Sequence, residues 1–64
     1  MVRINGNDVD AAGVSVEEHL KEAGIETKRV AVEINGDIVP KAEYSERTFK
    51  DGDVCEIVHF VGGG

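Results

Sequence analysis

Cys55 and His59 are the first residues whose types suggest chemistry, as a thiol with a possible base or as two metal ligands. They lie in an apolar run that reads as a strand, where four residues span about 13 Å. That distance is too long for one hydrogen bond or one shared metal ion. Cys55 also sits between Asp53 and Glu56, and carboxylates raise a thiol pKa rather than activate it. Cys55 therefore reads as a small core hydrophobe and His59 as a rim or surface histidine. His19 falls beside the apolar stripe of a helix, as a partly covered surface residue. No glycine-rich phosphate loop, zinc-ligand spacing or carboxylate dyad is present. What is left is Val61-Gly62-Gly63-Gly64, whose only reactive group belongs to the main chain. A frayed chain end has the same composition. These glycines, however, follow directly on what reads as a central strand. Three of them reach about 10 Å when extended. Lacking Cβ atoms, they can thread a narrow cleft and leave the last carboxylate unhindered.

Composition narrows the function classes. The chain has 64 residues, 41% of them apolar, which supports one modest core and no second domain. A single cysteine excludes an internal disulfide and argues against a secreted, cross-linked mini-protein. No apolar run approaches the length of a membrane helix, and no basic start with an apolar stretch suggests a signal peptide. The expectation is a soluble cytoplasmic protein. The net charge of −6 repels nucleic acid and anionic membrane and favours a basic protein partner. Two histidines, one cysteine and one tyrosine are too few catalytic groups for a stand-alone enzyme.

The elements that must position the tail follow from local signals. Val2-Arg3-Ile4-Asn5 alternates apolar and polar, as a half-buried strand does. Asn5-Gly6-Asn7-Asp8 supplies turn chemistry, and a short second strand is expected around Val9 to Ala11, broken by Gly13. Ser15-Val16-Glu17-Glu18 predicts a helix start with a capping box. Val16, Leu20 and Ala23 form its apolar stripe, Glu17 and Lys21 can pair on the solvent side, and Gly24 stops it. Val30 to Ile34 is the clearest strand, and Asn35-Gly36 turns it into a brief edge strand at Ile38-Val39 that Pro40 ends. Lys41 to Lys50 predicts a polar connector with a short helical turn that tucks Tyr44 and Phe49 under the sheet. Asp51-Gly52-Asp53 then leads into Val54 to Val61, apolar enough for a central position. The fold class is α+β: a β-grasp layout of one crossing helix on a mixed sheet of five strands, with four as the alternative. The β-grasp domain is expected to span 1–61 and the flexible glycine tail 62–64.

Two segments carry a family resemblance. Val30-Ala31-Val32-Glu33-Ile34-Asn35-Gly36-Asp37-Ile38-Val39-Pro40 is one. The other starts at Asp51-Gly52-Asp53 and runs through Glu56-Ile57-Val58-His59-Phe60 to Gly63-Gly64. In this order and over the whole chain, the sequence resembles the ThiS family, the small sulfur carriers of thiamine biosynthesis in the ubiquitin-like ThiS/MoaD superfamily. It departs from the pattern in the extra glycine, Gly62, and in Cys55 at a usually aliphatic core position.

The resemblance implies a ubiquitin-like β-grasp fold and a protein co-substrate rather than an enzyme. A ThiF-like activating enzyme, using ATP and magnesium, would adenylate the Gly64 carboxylate. Sulfur from a cysteine desulfurase or another source would convert it to a thiocarboxylate, and a ThiG-like thiazole synthase would take that sulfur. This chain itself would bind no cofactor or metal. Val58, Phe60, Val61, Gly62 and Gly63 are the expected partner-binding residues, since alternation turns Val58 and Phe60 away from the helix if Cys55 and Ile57 face it. Alternatives with the same tail chemistry are carriage to molybdopterin synthesis, tRNA thiolation or amino-acid synthesis, and covalent attachment of Gly64 to lysines. A non-covalent β-grasp interaction module is the alternative of a different class.

Overall fold

Two asparagine–glycine pairs set the sheet. In the computed structural model, which describes residues 1–60, Asn5 and Gly6 have φ of 49° and 82°, and Asn35 and Gly36 have φ of 53° and 88°. Positive φ at both central residues defines the two-residue turn whose twist matches paired strands. The first turn joins β1, Val2–Ile4, to β2, Asn7–Val9. The second joins β3, Val30–Ile34, to β4, Asp37–Ile38. The last strand, β5, runs from Val54 to His59. Strand order is β2-β1-β5-β3-β4. β5 lies parallel to β1 and antiparallel to β3, so it is the central strand of a five-stranded mixed sheet. The expected central position of the last strand holds, as do five strands rather than four and an edge position for β4.

Several boundaries differ from expectation. The second strand begins at Asn7, because the tight turn leaves Asn7 and Asp8 already paired with Ile4 and Arg3. Ala11 is then a buried loop residue. β4 is Asp37–Ile38 instead of Ile38-Val39. Val39 still donates its N–H to the Val32 carbonyl at 2.9 Å and is buried. A 3-10 turn at Thr27–Arg29 was not foreseen, whereas the expected helical turn after Pro40 is a 3-10 turn at Lys41–Glu43.

The helix α1 spans Val16–Glu22. The Ser15 hydroxyl accepts the Glu18 N–H at 3.0 Å, which is one half of the capping box. Among the described residues, no return bond from the Glu18 carboxylate is formed. At the other end the Gly24 N–H reaches the Lys21 carbonyl and the Ile25 N–H reaches the Leu20 carbonyl, at 3.1 and 2.8 Å. With φ of +71° at Gly24, this is a Schellman stop. It turns the chain before Ala23 reaches the core, so Ala23 is exposed and the inward face is Val16 and Leu20. Glu17 and Lys21 form no ion pair among the described residues.

Val16 and Leu20 pack on the inward residues of the sheet: Val2, Ile4, Val30, Val32, Ile34, Cys55 and Ile57. Tyr44 and Phe49 from the connector close the core, as their sequence context predicts. Phe49 meets His19 edge to face with ring centroids 5.9 Å apart. That contact makes His19 the half-buried flank residue expected of it.

The start of β5 is held by Asp53, 7% exposed. Its carboxylate accepts the Lys50 N–H at 2.9 Å and the Asn35 amide at 2.9 Å, with Arg47 at 3.4 Å. Burial alone would push the Asp53 carboxyl up; these three donors outweigh it and hold the carboxyl below its ordinary value. A depressed folded-state pKa contributes stability that is present above the ordinary carboxylate range and is lost as pH falls through the lower folded value. Asp53→Asn is therefore expected to cost about 1–3 kcal/mol at pH 7, with the difference from the native chain shrinking below about pH 4. Urea unfolding at pH 7 and pH 3 measures this. A difference that stays constant with pH would show that the charge of Asp53 is not what holds the turn.

Candidate functional site

β5 both completes the core and leads to the tail, and its two faces divide those tasks. Cys55 and Ile57 point inward and are buried. Val54, Glu56, Val58 and Phe60 point outward, with Val58 56% and Phe60 58% exposed. The expected alternation holds, and Phe60 lies on the surface instead of folding over the core edge. The apolar strip is backed by the flat Ala31, directly opposite Val58. The Phe60 N–H donates to the Arg29 carbonyl at 2.9 Å, which keeps Phe60 in line with the sheet. The Lys41 ammonium stands 5.8 Å from the Phe60 ring centroid, a cation–π contact that orients the ring without covering it. Farther along the same face, Glu33 and Glu56 stand opposite each other. The patch thus has an apolar centre with Lys41 beside Phe60 at one end and Glu33 and Glu56 at the other.

Cys55 and His59 do not form a site. Cys55 is fully buried between Ile4 and Ile34 on the neighbouring strands, while His59 is exposed. Burial above all, then the charges of Glu56 and Asp53, pushes the Cys55 thiol up to about 11. At neutral pH it is a protonated, enclosed core group. Among the described residues, no cluster of three or more histidine, cysteine, aspartate or glutamate side chains could hold a metal ion. No described helix is long and apolar enough to cross a membrane.

Val61, Gly62, Gly63 and Gly64 lie outside the described residues, and so does the expected domain boundary after Val61. The structure brings Val58 and Phe60 together on one open face at the end of the chain that leads to them. Sequence reasoning missed Asn5, Asn35 and Asp53. The asparagines sit at their turns but also send their side chains into β5. The Asn5 carboxamide bonds both main-chain groups of Ile57, and the Asn35 carbonyl oxygen accepts the Val54 N–H at 2.9 Å. Asparagine in place of aspartate or glycine before each turn glycine was the available signal, since of these three side chains only the carboxamide both donates and accepts at neutral pH.

A helix laid across this sheet, with an apolar strip on the sheet's other face near the end of its central strand, defines a β-grasp domain. The family model described as the ThiS family matches residues 2–64. A sulfur carrier protein ThiS of Bacillus subtilis is 43% identical over 68 aligned positions, covering 100% of both chains. The solved structure of a thiamine biosynthesis protein (ThiS) from Geobacter metallireducens superposes with a TM-score of 0.77 at 34% identity, covering 98% of this chain and 97% of that one. A thiazole synthase of Paramagnetospirillum magneticum is 47% identical over 62 residues, taking in 95% of this chain but only 19% of its own length. This chain thus spans about a fifth of that larger protein. The chain belongs to the ThiS family of sulfur carrier proteins, protein co-substrates rather than enzymes, with the ubiquitin-like β-grasp fold.

Proposed function

We propose that this chain carries sulfur for construction of the thiamine thiazole, with the Gly64 carboxylate as the reacting group. An α-carboxylate ionises with a pKa of about 3.5, so at neutral pH it is a poor electrophile. Adenylation by a separate ThiF-like enzyme, with ATP and magnesium, turns one carboxylate oxygen into part of a leaving group, AMP. Sulfide displaces AMP at the acyl carbon directly; a persulfide formed by a cysteine desulfurase displaces it as an acyl disulfide, whose S–S bond a thiol then reduces to free the C-terminal thiocarboxylate. A thiazole synthase then accepts that sulfur. Glycine suits every step, because no side chain obstructs attack and no stereocentre is at risk. On this reading the chain works in the cytoplasm, where ATP is supplied to its adenylating enzyme.

The observation that carries this reading is the exposed Val58–Phe60 face at the end of the central strand, immediately before Val61-Gly62-Gly63-Gly64. An open apolar patch next to a reactive terminus is where a partner must dock to take that terminus into its site. Similarity to a segment of a longer thiazole synthase supports thiazole synthase as the sulfur acceptor. A carrier-like segment and that synthase in one polypeptide meet at high effective concentration.

The test is ATP–pyrophosphate exchange by the adenylating enzyme. The native chain should support exchange, and Phe60→Ala should need about tenfold more carrier for the same rate, as expected when an interface anchor is truncated. Its unfolding free energy should change by less than about 1 kcal/mol, since the side chain is exposed. No exchange with the native chain would sink the carrier reading. A large loss of stability in Phe60→Ala would place its ring in the core.

A further inference from the structure

The main chain of β5 is paired unevenly. Val54 accepts the Asn35 N–H at 2.8 Å and Phe60 donates to Arg29 at 2.9 Å. With the β3–β5 register, these bonds direct the main-chain groups of Val54, Glu56, Val58 and Phe60 toward β3. Those of Cys55, Ile57 and His59 face the opposite edge, where β1 runs. There Arg3 donates to the Asp53 carbonyl and Asn5 to the Cys55 carbonyl, both at 2.9 Å. β1 then stops and the turn begins. The Asn5 side chain extends the ladder by one step: its Oδ1 accepts the Ile57 N–H at 2.7 Å, and its Nδ2 donates to the Ile57 carbonyl at 3.2 Å. The carboxamide stands in for one more residue of β1 and closes the edge at Ile57. At His59, the next residue facing that way, neither the N–H nor the carbonyl has a hydrogen-bond partner among the described residues, and the residue is exposed.

We infer that the main chain of His59 receives an extended segment of the protein that accepts the tail, added as a short strand to the open edge of β5. This rests on the carrier reading. Unpaired edge groups template an incoming strand, and this opening lies beside the Val58–Phe60 face, so one partner can use both. A second copy of this chain is a poor occupant. It bears the same charge of −6, and Asn5 shortens the open edge to its last described step. A short pairing of this kind sets direction more than affinity. It fixes the line along which β5 delivers Gly64.

The test uses the full chain and the thiazole synthase from the same genome. His59→Pro removes an N–H that β3 does not use, a position a strand tolerates in proline. It should melt near the native chain and bind the synthase about tenfold more weakly, the loss expected from one main-chain hydrogen bond. His59→Ala should bind within about twofold of native, because the side chain takes no part. Amide exchange supplies a measurement that needs no variant. The His59 N–H should exchange freely in the isolated chain and slow at least about tenfold in the complex. Val58, which faces β3, and Phe60, bonded to Arg29 just before β3, should be protected in both. If His59→Pro fails to fold, exchange decides alone.

Unchanged exchange at His59 in the complex overturns the pairing. So does His59→Ala losing as much as His59→Pro, which would assign recognition to the side chain. If Phe60→Ala weakens binding while His59→Pro does not, the docking face stands and the strand addition falls. A native chain that does not bind the synthase overturns both the choice of acceptor and the pairing. Protection of His59 that appears with dimerisation of the isolated chain identifies a second copy as the occupant and overturns the proposal.

Discussion

Removal of Gly63 and Gly64 should abolish adenylation and sulfur loading outright, while the melting temperature stays within about 3 °C of the intact chain. The expectation of an unchanged fold comes from the core, which among the described residues runs from Val2 to Ile57. The expectation of complete functional loss comes from the chemistry. The shortened chain ends on Gly62, still a carboxylate on a glycine, but two residues nearer the domain. At about 3.3–3.6 Å per residue, that withdraws the reacting group by roughly 7 Å. A reacting atom displaced that far cannot meet an activated phosphate, since an error of even about 1 Å costs catalysis severely. Pyrophosphate exchange and thermal melting check the two halves separately. A large fall in melting temperature would show that the tail packs on the domain, contrary to this account.

The second large effect is expected at Phe49. Both phenylalanines lie in the C-terminal part of the chain, yet the structure gives them opposite tasks. Phe60 is open, whereas Phe49 is 2% exposed and packed edge to face against His19. Phe49→Ala should cost about 3–5 kcal/mol. A domain of this size has only about 3–10 kcal/mol in total, so the variant should be largely unfolded at 37 °C by circular dichroism. The main chain of Phe49 also matters: its N–H reaches the Val14 carbonyl and its carbonyl accepts the Gly13 N–H. Those bonds tie the connector to the chain entering α1, so loss of the ring also loosens the start of the helix. A variant that melts within a few degrees of native would mean the connector packs more loosely than this structure shows.

Much of this could be read from the sequence because the decisive signals are local. Asn5-Gly6 and Asn35-Gly36 force positive φ at adjacent residues, and that alone produces two hairpins. Ser15 and Gly24 bound a helix by satisfying backbone groups within a few residues of themselves. Alternation along Cys55-Glu56-Ile57-Val58 assigns faces once one residue is known to be inside, and this is how Val58 and Phe60 were placed outward. The errors arose where a nonlocal partner decides. Asn7 and Asp8 look like turn residues until Ile4 and Arg3 pair with them. Ala23 continues the helical stripe, but the chain has turned away before it can reach the sheet. Asp53 looks like a solvent-facing turn residue. It is buried because Lys50, Asn35 and Arg47 converge on it from separate places in the chain. The second task of Asn5, as a substitute for one residue of β1, depends on where β1 ends beside β5.

The candidate site was legible in a different way. Its reactive group is a main-chain carboxylate, so counting catalytic side chains pointed only to their scarcity. The run of glycines, read together with the strand before it, located the site. What composition could not supply was the docking face, which exists only because the central strand turns one side to the core and the other to solvent.

The central claim is that Gly64 becomes a thiocarboxylate. Intact-mass spectrometry tests it after the chain is incubated with its adenylating enzyme, ATP, magnesium and a sulfur donor. Replacement of one oxygen by sulfur should add about 16 Da, located by fragmentation to the C-terminal glycine and absent when ATP is omitted. An unchanged mass, or a shift that fragmentation places on Cys55, would contradict it.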